Sequence, residues 1–150
     1  MKSLNKTKEK GYAILFTIVI VGVISMIAVG LANLSYKQLL LSSVAKDSQI
    51  SFYQADTASE CGLYADNVMT GGIDALPAGW VCGGQTLTRT NLDTNIYLLK
   101  DPAANPLNPC FEVIIDKKDI PIKIQGMGYN LCDKSNLRTV QRELDVTYGN

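Results

Sequence analysis

The most pronounced pattern in the chain is a change from charged to wholly apolar sequence near its start. Residues 12–34 carry no charged side chain. A helix of about 23 residues, rising about 1.5 Å each, reaches roughly 35 Å, enough to cross a bilayer core. Beyond Leu34 the apolar positions keep helical spacing, at Tyr36, Leu39, Leu41, Val44, Ala45, Phe52, Ala55, Ala58 and Leu63, and no proline occurs before Pro77. One helix is therefore predicted over 12–69, with 12–34 as its transmembrane part. Its first half has no soluble core to pack on, so it needs lipid or sister helices.

Past Met69 the pattern changes. Gly71, Gly72, Pro77, Gly79, Gly83 and Gly84 break the helix and lead into a connector that holds Trp80 and Cys82. Strands are predicted at 94–100, 111–116, 120–125 and 138–148 from their short alternating runs. In the last of these Val140, Leu144, Val146 and Tyr148 fall on one face, with Thr139, Gln141, Glu143, Asp145 and Thr147 on the other. Pro102, Pro106 and Pro109 keep 101–109 out of any ladder, so it loops over the surface. The expected fold class is α+β: a long N-terminal helix, and a small antiparallel β-sheet head over 70–150 laid on the second half of that helix, above Phe52, Ala55 and Leu63.

Charge adds a direction. The chain is formally neutral, with 14 basic and 14 acidic residues, but Lys2, Lys6, Lys8 and Lys10 face only Glu9 in the first eleven positions. The positive-inside bias keeps that end in the cytoplasm and sends the rest across as a single pass. The distal part is mildly acidic and offers no basic footprint for nucleic acid.

Composition removes several chemistries. There is no histidine, so the commonest general base and the commonest metal ligand are both missing. The four cysteines, Cys61, Cys82, Cys110 and Cys132, all lie beyond the apolar run, and none forms a C-x-x-C knuckle with another. They read as disulfides in an oxidising compartment. Three pairings are open, and proximity favours Cys61 with Cys82 and Cys110 with Cys132. Asp116, Asp119 and Asp133 do not follow a calcium-loop spacing and read as solvated turns. Gly126 and Gly128 lack the lysine and following helix of a phosphate loop and read as a strand bend. No catalytic residues, cofactor or metal site are expected.

Two stretches carry a family resemblance. Lys10-Gly11-Tyr12, followed by the unbroken apolar run from Ala13 to Ile20, resembles the leader junction of type IV prepilins. The residues Lys46-Asp47-Ser48-Gln49-Ile50-Ser51-Phe52-Tyr53-Gln54-Ala55-Asp56-Thr57-Ala58 are similar to the stretch that closes the helix of PilX-type minor pilins. Together they cover about the first 60 residues. The resemblance implies a leader peptide over 1–11, cleavage after Gly11 by prepilin peptidase, and methylation of the new amino group on Tyr12. It also implies a cytoplasmic-membrane intermediate and then an extracellular filament of sister pilins.

One departure refines this. Major pilins carry a glutamate at the fifth mature position, which pairs with the methylated amine of a neighbour, and here that position is Phe16. An acidic group at mid-membrane costs about 2.5–3.5 kcal/mol, and a subunit at the tip has no subunit beyond it whose amine needs a partner. The resemblance therefore implies a GspK-like pseudopilin or minor pilin at the tip or in assembly priming. Two rival readings stand beside it. One is a permanently anchored single-pass protein with an extracytoplasmic binding domain. The other is a secreted module cut by ordinary signal peptidase near Ala32, although this apolar run exceeds the ~7–15 residues usual for a signal.

Overall fold

The protein is described here by a computed structural model covering residues 8–149, with the backbone alone for 8–11. The leader expected over 1–11 lies, up to Thr7, outside the described residues. The chain divides into two units, Met1–Ser43 and Val44–Asn150.

A single helix, α1, runs through Lys8–Asn67. It begins before Tyr12 and stops two residues short of the predicted end. The amides of Val68 and Met69 both donate to Tyr64 O, at 3.1 and 3.3 Å, which closes its last turn. A short 3-10 turn, Gly72–Ala75, follows and buries Ile73 completely.

Six strands come next: β1 Trp80–Cys82, β2 Gln85–Asp93, β3 Ile96–Lys100, β4 Cys110–Asp116, β5 Ile122–Tyr129 and β6 Gln141–Tyr148. They form one antiparallel sheet in the order β1-β2-β3-β4-β5-β6, so each strand pairs with its neighbours in sequence. The fold is α+β as expected, but β1 lies in the stretch expected as connector, and β2 precedes the first strand expected from the sequence. A two-residue turn joins them, with Gly83 at φ 57° and Gly84 at φ 77°, the left-handed geometry a tight hairpin demands. Residues 126–129 continue β5 rather than bending out of it.

Cross-strand register builds one apolar face. Tyr97, Ile115, Ile124 and Val146 make one row across the sheet, and Leu99, Val113, Gly126 and Leu144 the next. Leu99, Val113, Ile115 and Ile124 are fully buried, each contributing about 1.5–3 kcal/mol relative to exposure.

That face meets α1 along small residues. Ser51, Ala55, Ala58, Gly62 and Ala65, spaced alternately by four and three, are the buried line of the helix, flanked by buried Ser59 and Cys61. Opposite them the sheet presents Gly126 and Gly128. A Cβ on Gly126 would fall 2.6 Å from Ala55 O, and one on Gly128 would fall 2.8 Å from the carbonyl carbon of Gln54. Helix backbone thus rests directly on strand backbone. Gly62 returns the favour from the helix side, where a Cβ would come within 2.8 Å of both Ile124 and Val113. Phe52, expected beneath the sheet, is 48% exposed instead; it lies one position past Ser51 and so faces away from the seam.

Candidate functional site

The residues expected to direct processing and assembly lie in the first unit. Gly11 and Tyr12 sit in the early turns of α1, and Phe16 follows one turn later, its ring 6.5 Å from that of Tyr12 in a stacked arrangement. Phe16 is 55% exposed, and the large apolar side chains from Tyr12 to Val44 are exposed with it. By length and composition this is one helix able to cross a membrane.

Its few hydroxyls fit an apolar surrounding. Thr17 Oγ1 donates to Ile14 O at 2.8 Å, Ser25 Oγ to Val21 O at 2.8 Å, and Ser35 Oγ to Leu31 O at 3.0 Å. Each of these three hydroxyls is thereby satisfied within the helix, as a hydrocarbon environment requires. Gly22 and Gly30 leave open surface, with nothing within 4 Å of where a Cβ would stand. Such bare positions permit close approach of another helix.

The second unit is held by two disulfides. Cys61 is bonded to Cys82, tying α1 to β1, and Cys110 to Cys132, tying the start of β4 to the loop after β5. Among the described residues no free cysteine remains. The loop at 130–140 is pinned further by Asn130, whose Oδ1 accepts from Val140 N at 2.6 Å and whose Nδ2 donates to Arg138 O at 3.1 Å.

Polar clasps close the helix against the sheet at both ends of the seam. Near its start, Ser51 Oγ donates to Val140 O at 2.7 Å, and Arg142 donates through Nε and Nη2 to Ser48 Oγ at 3.0 and 2.7 Å. At the far end Asp66, with its side chain only 3% exposed, pairs with Lys117 Nζ at 2.6 Å and accepts from the Tyr148 hydroxyl. Burial, and then the bond to Asp66, push the Tyr148 phenol well above its usual range. The sequence places Val140 and Tyr148 on one face of the last strand and Ser48 and Ser51 in the minor-pilin-like stretch, but predicts none of these polar pairings. Their signal was weak: a polar residue inside an otherwise helical apolar pattern reads first as solvent-facing.

Asp116 and Asp119 lie at the β4–β5 turn, whereas Asp133 lies in the loop at the other end of β5, so the three carboxylates are not brought together. Asp133 is engaged locally, accepting from Ser135 N at 2.9 Å and Ser135 Oγ at 2.6 Å.

One long apolar N-terminal helix joined to a small antiparallel sheet is a type IV pilin-like architecture. Comparisons with protein-family models, curated proteins and solved structures find no match for this chain.

Proposed function

We propose that the chain is a minor pilin or pseudopilin of PilX type, processed after Gly11, N-methylated on Tyr12, and assembled through its N-terminal helix at the tip or in the priming of a type IV pilus or related secretion filament. The observation that carries this reading is the helix surface itself. From Tyr12 to Leu34 no side chain is charged and the large ones are apolar and exposed, and the Thr17 and Ser25 hydroxyls are bonded within the helix. Such a surface is at home first in lipid and then among sister helices, where close packing rather than water release drives association.

Phe16 supports the terminal position, since a subunit at the tip has no subunit beyond it whose amine needs an acidic partner at the fifth mature residue. The work of the protein is packing rather than catalysis. Its partners on this reading are prepilin peptidase, the cytoplasmic membrane and other pilins, and the head stands outside the cell, where Cys61–Cys82 and Cys110–Cys132 stay oxidised.

The test is the intact mass of the membrane-associated protein, with and without prepilin peptidase. A chain beginning at N-methylated Tyr12, formed only when the peptidase is present, is the expected result. An intact Met1 would replace this reading with a permanently anchored protein whose outer domain binds a ligand or partner. A start near Ala32 would make it a secreted module.

A further inference from the structure

The sheet has two edges, and they are built differently. At one end stands β1, three residues long and flanked by Gly79 at φ 74° and Gly83 at φ 57°, with Cys82 held by its disulfide. Its neighbour β2 slips register between Asn91 and Asp93 where it meets β3. Short strands and bulges of this kind keep an edge from pairing further. At the other end β6 runs for eight residues, Gln141–Tyr148, in unbroken register with β5. It holds no proline and no glycine, and among the described residues no strand pairs with its outer side.

The apolar face of the sheet is also left open there. The row Tyr97, Ile115, Ile124 is buried and ends in Val146, and the row Leu99, Val113, Gly126 is buried and ends in Leu144. Val146 and Leu144 themselves are only half-buried. A strand laid beside β6 would continue both rows. Arg142 is the one charge on that face of β6, and it donates twice to Ser48 Oγ, so an inward charge guards only the beginning of the strand.

The backbone decides first what such an edge accepts. Alternate amides and carbonyls of β6 point outward, and another extended segment matches them along the whole strand. Side chains then select. On the solvent face stand Gln141, Glu143, Asp145 and Thr147. Lys123 Nζ reaches Asp145 at 3.0 Å, whereas Glu143 accepts from the neutral Gln125 amide at 3.1 Å.

A second copy of this chain fits that face poorly. In an antiparallel two-fold pair of β6 strands, centring on Leu144 sets Glu143 against Asp145 twice, and centring on Asp145 sets that carboxylate against itself. Like charges directly opposite one another destabilise a strand pair. A segment in which apolar residues alternate with lysine or arginine meets no such conflict.

We propose that β6 is a docking edge for an extended segment of another protein, which joins the sheet with apolar residues beside Leu144 and Val146 and a basic residue beside Glu143. The proposal concerns the head alone and goes beyond the filament reading, whose failure would leave it standing.

The test uses the full chain in detergent and, as probe, a synthetic peptide matched to β6 in length that alternates valine with lysine. A second peptide carries glutamate in place of each lysine. The lysine peptide is expected to bind saturably and to protect from hydrogen exchange those amides of 141–148 that exchange quickly in the free chain. The glutamate peptide should bind at least about threefold more weakly. E143K, on the exposed face of the strand, should weaken binding of the lysine peptide and strengthen that of the glutamate peptide, while L144T should weaken both. Should E143K fail to fold, the comparison of the two peptides on the parent chain decides. No saturable binding of the lysine peptide, equal binding of both peptides, or protection that falls outside 141–148 would overturn the proposal. So would a dimer of the free chain that protects the same amides, since the occupant would then be a second copy.

Discussion

At the scale of single residues, the head depends on atoms that are missing as much as on those present. Gly126 and Gly128 let β5 lie against the backbone of α1, and a methyl at either forces the two apart. Gly126→Ala and Gly128→Ala are each expected to cost about 1–3 kcal/mol or more. The same change at Gly22, where the space is open, should leave the head untouched. Urea midpoints of the full chain in detergent distinguish the two outcomes. Asp66 is the opposite case, a buried charge held by Lys117 and Tyr148. Asp66→Ala strands a cation and a phenol at the end of the helix and should cost about 3 kcal/mol.

Tyr148 supplies a pH dependence. Its phenol is raised in the folded state, so the unfolded chain loses the proton first as pH climbs past about 10. The stability it contributes is complete below that value and falls away as pH rises toward the folded-state value. Midpoints at pH 8 and pH 11 should therefore differ less in Tyr148→Phe than in the parent chain, and an unchanged difference would show that the phenol is not the group responsible.

Elements differ in how plainly the sequence announces them. The long helix and the strands β3 to β6 stand out because Tyr97, Leu99, Val113, Ile115, Ile124 and Val146 alternate clearly. The second strand does not: within Gln85–Asp93 only Leu87 is buried, and threonines hold the alternate places, so no apolar period exists to be seen. The first strand has three residues and is flanked by glycines that read as breakers. On the packing face of α1, Ala55 and Leu63 lie under the sheet as expected and Phe52 does not, for a related reason. Hydropathy favours Phe52, while the seam is made by Ser51, Ala55, Ser59 and Gly62, whose value lies in being small. The disulfides, by contrast, follow the nearest-neighbour pairing.

The Cys61–Cys82 bond closes a separation of 21 residues between helix and first strand. Its loss in Cys61→Ser with Cys82→Ser should cost about 2–4 kcal/mol. Hydrogen exchange should then quicken first in β1 and β2, which pair with the rest of the sheet only through β3.

For the molecule as a whole, the informative experiments concern its first sixteen residues. On the proposed reading, Gly11→Leu should leave residues 1–11 attached, read as a heavier chain in the membrane fraction, without altering the head. On the same reading Phe16→Glu should slow membrane insertion or assembly, because it adds a carboxylate at a cost of about 2.5–3.5 kcal/mol, unless a neighbouring amine is present to pair it. Comparing the variant in cells with and without pilins separates those cases: recovery that depends on the pilins identifies a subunit that can pair with a neighbour's amine.

The seam between α1 and β5 also sets a timetable. The helix is made first, yet the strand that roofs it, Ile122–Tyr129, is made only after β1 to β4. Until it arrives, Ser51, Ala55 and Ser59 have no glycine-bearing strand to receive them. The chain must therefore be made through residue 129 before the seam can close. A nascent chain halted short of residue 122 would expose an open helix face, a target for proteolysis.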